Sequence, residues 1–187
     1  MKWLIVTISI MLLQACSHTS EVALPRAKNV DLNRFMGDWY VIANIPTFIE
    51  QGAHNSIESY AMNGDGSIAT TFRFNQDLFD GELNTYKPTG YVSENNNSEW
   101  GMQFIWPFKA EYIIAYLSDD YEQTIIARSA RDYLWIMSRS PIIDERIYKA
   151  LVQRSVDMGY TRELIQKVPQ QIKSSQNINV IMMEQTQ

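Results

Sequence analysis

One stretch, Asp31-Leu32-Asn33-Arg34-Phe35-Met36-Gly37-Asp38-Trp39-Tyr40, constrains this chain more than any other. Leu32, Phe35 and Met36 fall on one side of a short helical turn, Gly37 breaks it, and a strand opens on Trp39. Far downstream, Tyr133-Leu134-Trp135-Ile136-Met137-Ser138-Arg139 reads as a second strand. It ends on an arginine just before Ser140-Pro141 and an amphipathic helix.

Between these two segments the chain breaks into short β-rich runs at the spacing of an all-β barrel or sandwich. The runs are Trp39–Ile45, Ser56–Met62, Ser67–Asn75, Thr85–Ser93, Glu99–Trp106, Glu111–Leu117, Gln123–Ala127 and Tyr133–Arg139. Asn63-Gly64-Asp65-Gly66 supplies residues tolerant of positive φ for a tight hairpin. It lacks the remaining ligand positions of a calcium loop. Hairpin-length links favour consecutive antiparallel pairing, hence an up-and-down barrel, and closing the sheet removes exposed edges. A helix is predicted over Glu145–Met158, capped by Asp144 and ended by Gly159. Its apolar stripe is Ile147, Leu151 and Met158, with Ala150 alongside. That stripe should dock on a barrel wall. Ile113-Ile114-Ala115 and Ile125-Ile126-Ala127, apolar on both faces, are the strands it would cover.

Gly37-x-Trp39 opening the first strand, with Arg139 ending the last, closely resembles the lipocalin family, and within it the bacterial outer-membrane lipoprotein branch whose animal relative is apolipoprotein D. The resemblance runs from about Val30 to about Gln171. It implies an eight-stranded antiparallel barrel with a C-terminal helix on the outside. Gly37, Trp39 and Arg139 would form its structural signature, the arginine packing across the tryptophan to plug the closed end. The domain is assigned to residues 29–172, and the tail, 173–187, stays unassigned.

The first residues read as an export signal. Met1-Lys2 is a minimal basic region, Trp3 to Leu13 is apolar, and Leu13-Gln14-Ala15-Cys16 matches a lipoprotein cleavage site before Cys16. The segment is short for a transmembrane helix, which needs roughly 20 apolar residues. Cys16 is the chain's single cysteine, so it is assigned as the lipidation site, with residues 1–15 removed and 16–28 serving as a tether. One acyl chain anchors only marginally; the modification this site implies adds more than one, palmitate among them. Ser17, where an aspartate would favour the inner membrane, points to the outer membrane, with the domain facing the periplasm. A net charge of −5 without a long basic run argues against nucleic acid.

Catalytic signals are missing. The two histidines, His18 and His54, are far apart in sequence, Cys16 is used by the anchor, and no zinc spacing, nucleophile elbow or phosphate-cradling loop occurs. Asp119-Asp120 reads as a turn at the closed end rather than a catalytic pair. We therefore expect no enzyme, no cofactor and no metal. Binding is better supported, because an eight-stranded barrel has room for side chains or one small ligand. Alternation with Arg73 outside puts Phe72 and Phe74 inside; Met102, Phe104 and Trp106 share a face with Trp100; Tyr112, Ile114 and Tyr116 share another. These residues make an aromatic, essentially uncharged lining for a hydrophobic ligand. The resemblance implies a fatty acid or lysophospholipid, held for storage, transport or scavenging near the membrane. Two alternatives stay open: a lipocalin-superfamily enzyme, which needs polar groups converging inside the barrel, and a structural envelope protein whose rings fill it. A homodimer also stays open.

Overall fold

The computed structural model describes residues 23–171. The lipoprotein signal, Cys16 and the tail from residue 172 lie outside the described residues. A short helix α1 (Leu32–Phe35) is followed by β1 (Gly37–Ile45), β2 (Ala53–Met62), β3 (Ile68–Gln76), β4 (Leu83–Tyr86), β5 (Thr89–Ser93), β6 (Asn96–Ile105), β7 (Phe108–Leu117), β8 (Gln123–Ala127) and β9 (Leu134–Ser138). Helix α2 (Glu145–Asp157) and a two-residue β10 (Gln166–Lys167) complete it.

Every neighbouring pair is antiparallel, and β1 pairs with β9 (Val41 opposite Met137, Asn44 opposite Trp135), which closes the sheet into a barrel. β4 and β5 are two halves of one stave, so the barrel has eight, the fold expected from the sequence. The stave expected as Thr85–Ser93 is interrupted at Lys87-Pro88, where proline has no N–H for the ladder. The Pro88 carbonyl instead accepts from Thr70 N at 3.1 Å.

α1 sits under the closed end. Asp31 caps it, its carboxylate accepting from Asn33 N at 2.9 Å, and Phe35 is fully buried. The indole of Trp39 donates to the Phe35 carbonyl at 2.8 Å, and the Arg139 guanidinium lies 3.7 Å from the Trp39 ring centroid. Gly37 has φ +96°, and Arg139 Nη1 stands 3.4 Å from where a Cβ would be. A side chain there would meet both the strained backbone and the arginine.

Two cores result, one on each face of the sheet. Inside the barrel pack Phe35, Trp39, Tyr60, Ile68, Phe74, Trp100, Ile114 and Met137. Outside, Ile113, Ala115, Ile125, Ala127, Leu134 and Ile136 pack under α2 through Leu151 and Val152. Asp144 caps α2 by accepting from Arg146 N, and Gly159, at φ +94°, follows it. The buried stripe keeps Leu151 and Met158 of the one expected but is otherwise turned. Ile147 and Ala150 face solvent, while Leu151, Val152 and Ser155 are buried and Tyr148 lies half-buried against the same cluster. Positions 148, 151, 152 and 155 form the better helical stripe, hidden in the sequence by a tyrosine and a serine. Ser155 is accommodated because its hydroxyl donates to the Leu151 carbonyl at 3.0 Å.

Candidate functional site

The open end leads into a cavity of about 490 Å³. Its wall is built by inward side chains of successive staves: Glu58 from β2, Thr70 and Phe72 from β3, Met102 from β6, Ala110 and Tyr112 from β7 and Trp135 from β9. The loop between β1 and β2 adds Thr47, Phe48, Ile49 and Glu50 from the open side. Lys87, Phe104, Ile105, Arg128 and Tyr133 also line it.

The side chains proposed from sequence separate into three groups. Phe72, Met102 and Tyr112 are buried in the cavity wall, and Phe104 lines it half-exposed. Phe74 and Ile114 point inward but belong to the packed interior rather than the wall. Phe74 lies behind Phe72, ring centroids 5.2 Å apart.

Trp106 and Tyr116 are placed elsewhere, and both placements correct the sequence reading. Trp106 sits in the turn between β6 and β7, 81% exposed. The ladder is irregular between Met102 and Ile105, so strict alternation fails at this tip. Tyr116 faces outward under α2, with the Arg154 guanidinium 4.5 Å from its ring. The register slips by one residue between Ile114 and Tyr116, and a one-residue bulge sends every later side chain to the opposite face.

The lining is not uncharged. Tyr60 and Tyr112 share a hydrogen bond of 2.6 Å, and the Tyr60 hydroxyl donates to Glu58 Oε2. Burial, with a smaller contribution from the nearby Glu50 carboxylate, pushes the Glu58 carboxyl up to about 8. Glu50 accepts from Trp135 Nε1 and from Thr47 N, each at 2.8 Å. Its carboxyl is still raised, because desolvation outweighs those bonds. The Thr70 hydroxyl is buried in the wall without a hydrogen-bond partner. The cavity therefore combines an apolar body with a few converging polar groups, the usual form of a small-molecule site.

Sequence reasoning missed Glu58 and Tyr60, although a signal existed. Glu58 stands directly opposite Phe72 across the β2–β3 hairpin, and opposed residues share a face. Placing Phe72 inside therefore places Glu58 inside, with Tyr60 two residues on. Glu50 lies in a loop, where no periodicity could report it. Among the described residues, no three His, Cys, Asp or Glu side chains stand close enough to hold a metal ion. Asp119-Asp120 lies at the closed end: Asp120 accepts from Ser118 Oγ and Glu122 N, and the Asp119 carbonyl accepts from Arg34.

The family model for the lipocalin-like domain matches residues 30–170. The chain belongs to the lipocalin-like family. It is 28% identical to temperature-induced lipocalin-1 of Arabidopsis thaliana, over 81% of this chain and 86% of the relative. Outer membrane lipoprotein Blc of Vibrio cholerae is 24% identical, over 86% of this chain and 94% of the relative. Among solved structures, insecticyanin from the tobacco hornworm Manduca sexta superposes with a TM-score of 0.63 at 13% identity, covering 82% of this chain and 88% of its own. This lipocalin thus has bacterial lipoprotein relatives and a barrel suited to a small hydrophobic ligand.

Proposed function

We propose that this lipocalin is anchored to the outer membrane through Cys16, faces the periplasm, and holds a fatty acid or lysophospholipid for storage, transport or scavenging in the envelope. The observation that carries the ligand reading is the cavity of about 490 Å³ within the closed barrel, walled by Phe72, Met102, Ala110, Tyr112 and Trp135. An acyl chain fits such a wall because burying apolar surface drives its entry. Lys87 and Arg128, both lining the cavity, supply cations for a phosphate or carboxylate head. The Blc relatives are named outer membrane lipoproteins, which supports the anchor reading.

The experiment is native mass spectrometry of the full chain with and without added lysophospholipid. A stoichiometric complex is expected. A barrel that takes up no lipid at any concentration short of micelles contradicts the proposal and favours a filled, structural barrel.

A second reading, an enzyme acting on a lipophilic substrate, draws on the Glu58–Tyr60–Tyr112 chain of hydrogen bonds inside the barrel. The same spectra separate the two. A carrier returns the lipid at unchanged mass after prolonged incubation; an enzyme returns a product of altered mass.

A further inference from the structure

We propose that the inner wall of the cavity is a hydrogen-bonding site for an uncharged oxygen on the ligand's chain, so that the barrel prefers a hydroxylated acyl chain to an unsubstituted one. The inference rests on the lipid-binding reading and deepens it. Glu58, Tyr112 and the Thr70 hydroxyl lie in the same wall as Phe72 and Met102. Tyr60 and Glu58 partner each other, but Thr70 Oγ1 has nothing to bond. A plain methylene chain leaves the Thr70 hydroxyl dehydrated and unsatisfied, which opposes binding. A hydroxyl both donates and accepts, so it can satisfy Thr70 and join the Tyr112 end of the chain. An anionic group is excluded from this wall, because it would lie desolvated among the acidic side chains of the cavity, Glu50, Glu58 and Glu111. Protonation of Glu58 near neutral pH adds a further donor. The ligand's own anionic head belongs with Lys87 and Arg128.

The test is competition of octadecanoic acid and its positional hydroxy isomers against a bound N-phenyl-1-naphthylamine reporter, using the full chain. At least one isomer should bind about tenfold more tightly than the parent acid, a difference of about 1.4 kcal/mol. Thr70→Val combined with Tyr112→Phe should erase that preference, so that within the variant the hydroxy isomers bind no more tightly than the parent acid. Glu58→Gln, which keeps a neutral hydrogen-bonding group, should retain it. Equal affinity for all isomers, or a preference that survives Thr70→Val/Tyr112→Phe, overturns the inference alone. Failure of both reporter and acids to bind overturns the lipid reading with it.

A different observation carries a second inference. Phe48, Leu78, Leu83, Ile105, Trp106 and Phe108 are 61% to 84% exposed, and all stand on loops or strand ends at the open end of the barrel. Single exposed apolar residues are ordinary, but a ring of them around a cavity mouth marks an interaction surface. We infer that this rim rests on a lipid bilayer, with the mouth facing it. Trp106 at the tip suits the headgroup boundary, where tryptophan is enriched. The chain outside the barrel points the same way. Asp31 N bonds Tyr121 at the closed end, Ala27 N bonds the Ile114 carbonyl midway up β7, and Arg26 pairs with Glu99. Read backwards, the N-terminal segment climbs toward the open end. Six residues separate the proposed anchor at Cys16 from Ala23, a reach of at most about 25 Å, so an anchored barrel is held close to the bilayer.

The lipidated full chain in phosphatidylethanolamine–phosphatidylglycerol vesicles containing brominated acyl chains tests this. Part of its tryptophan emission should be quenched, and Trp106→Phe should remove that part. Quenching identical in Trp106→Phe overturns the inference, as does a rim-mediated dimer that shields Trp106 from lipid.

Discussion

Arg139 and Trp39 close the barrel together. The guanidinium stacks 3.7 Å from the indole centroid, and its nitrogens donate to the carbonyls of Arg34, Phe35, Met36 and Asp38. Cation–π contact and helix-end capping thus share one side chain. Arg139→Lys cannot reproduce this fork and should lower the melting temperature. Trp39→Ala, which truncates a fully buried aromatic, should cost about 3–5 kcal/mol in chemical denaturation. A variant that loses ligand but keeps wild-type stability contradicts the structural role.

Glu58 makes stability depend on pH. Its carboxyl is raised from about 4.5 to about 8 in the fold, so the folded state holds this proton more tightly than the unfolded chain. Its contribution is complete below about 4.5 and is lost as pH climbs through about 8. Thermal melts of wild type and Glu58→Gln across that window should diverge, wild type falling more steeply with rising pH. Parallel curves would show that Glu58 does not titrate in this window.

Helix α2 offers a test of which stripe docks. Leu151→Ala should destabilise by about 2–5 kcal/mol, since the side chain is buried against the outer wall. Ile147→Ala, on the exposed side, should change stability by less than about 0.5 kcal/mol. An equally large loss in Ile147→Ala would put Ile147 in the docked stripe, where the sequence alone had placed it.

The anchor is tested separately. Cys16→Ser should release the protein from the outer-membrane fraction or leave it unprocessed. Outer-membrane protein that still incorporates labelled palmitate refutes the assignment.

The barrel was legible because alternation, short links and the Gly37–Trp39–Arg139 set all point to one closed antiparallel sheet. Within the site, legibility depended on register. Phe72, Met102 and Tyr112 lie on regular stretches of strand, where a period of two assigns the face correctly. Tyr116 follows a bulge and Trp106 sits beyond the last regular pair, so the same rule misplaced both. Glu58 was overlooked because charge is ordinarily placed outside. Burial is tolerated here by the Tyr60 hydrogen bond and the raised carboxyl. The break at Lys87-Pro88 was legible as a proline but not as a gap within a stave.

Reporter affinity in a barrel whose cavity has been filled tests the central claim most directly. Ala110 lines the cavity opposite Met102, so Ala110→Trp should occupy the space an acyl chain needs. Gln103→Asp, close to Tyr91 on the other face of β6, is the control. Fluorescence titration with lysophospholipid should show Ala110→Trp weakened at least tenfold, about 1.4 kcal/mol, with Gln103→Asp near wild type and all three proteins folded. Equal affinity in folded Ala110→Trp would mean that the ligand does not occupy this cavity.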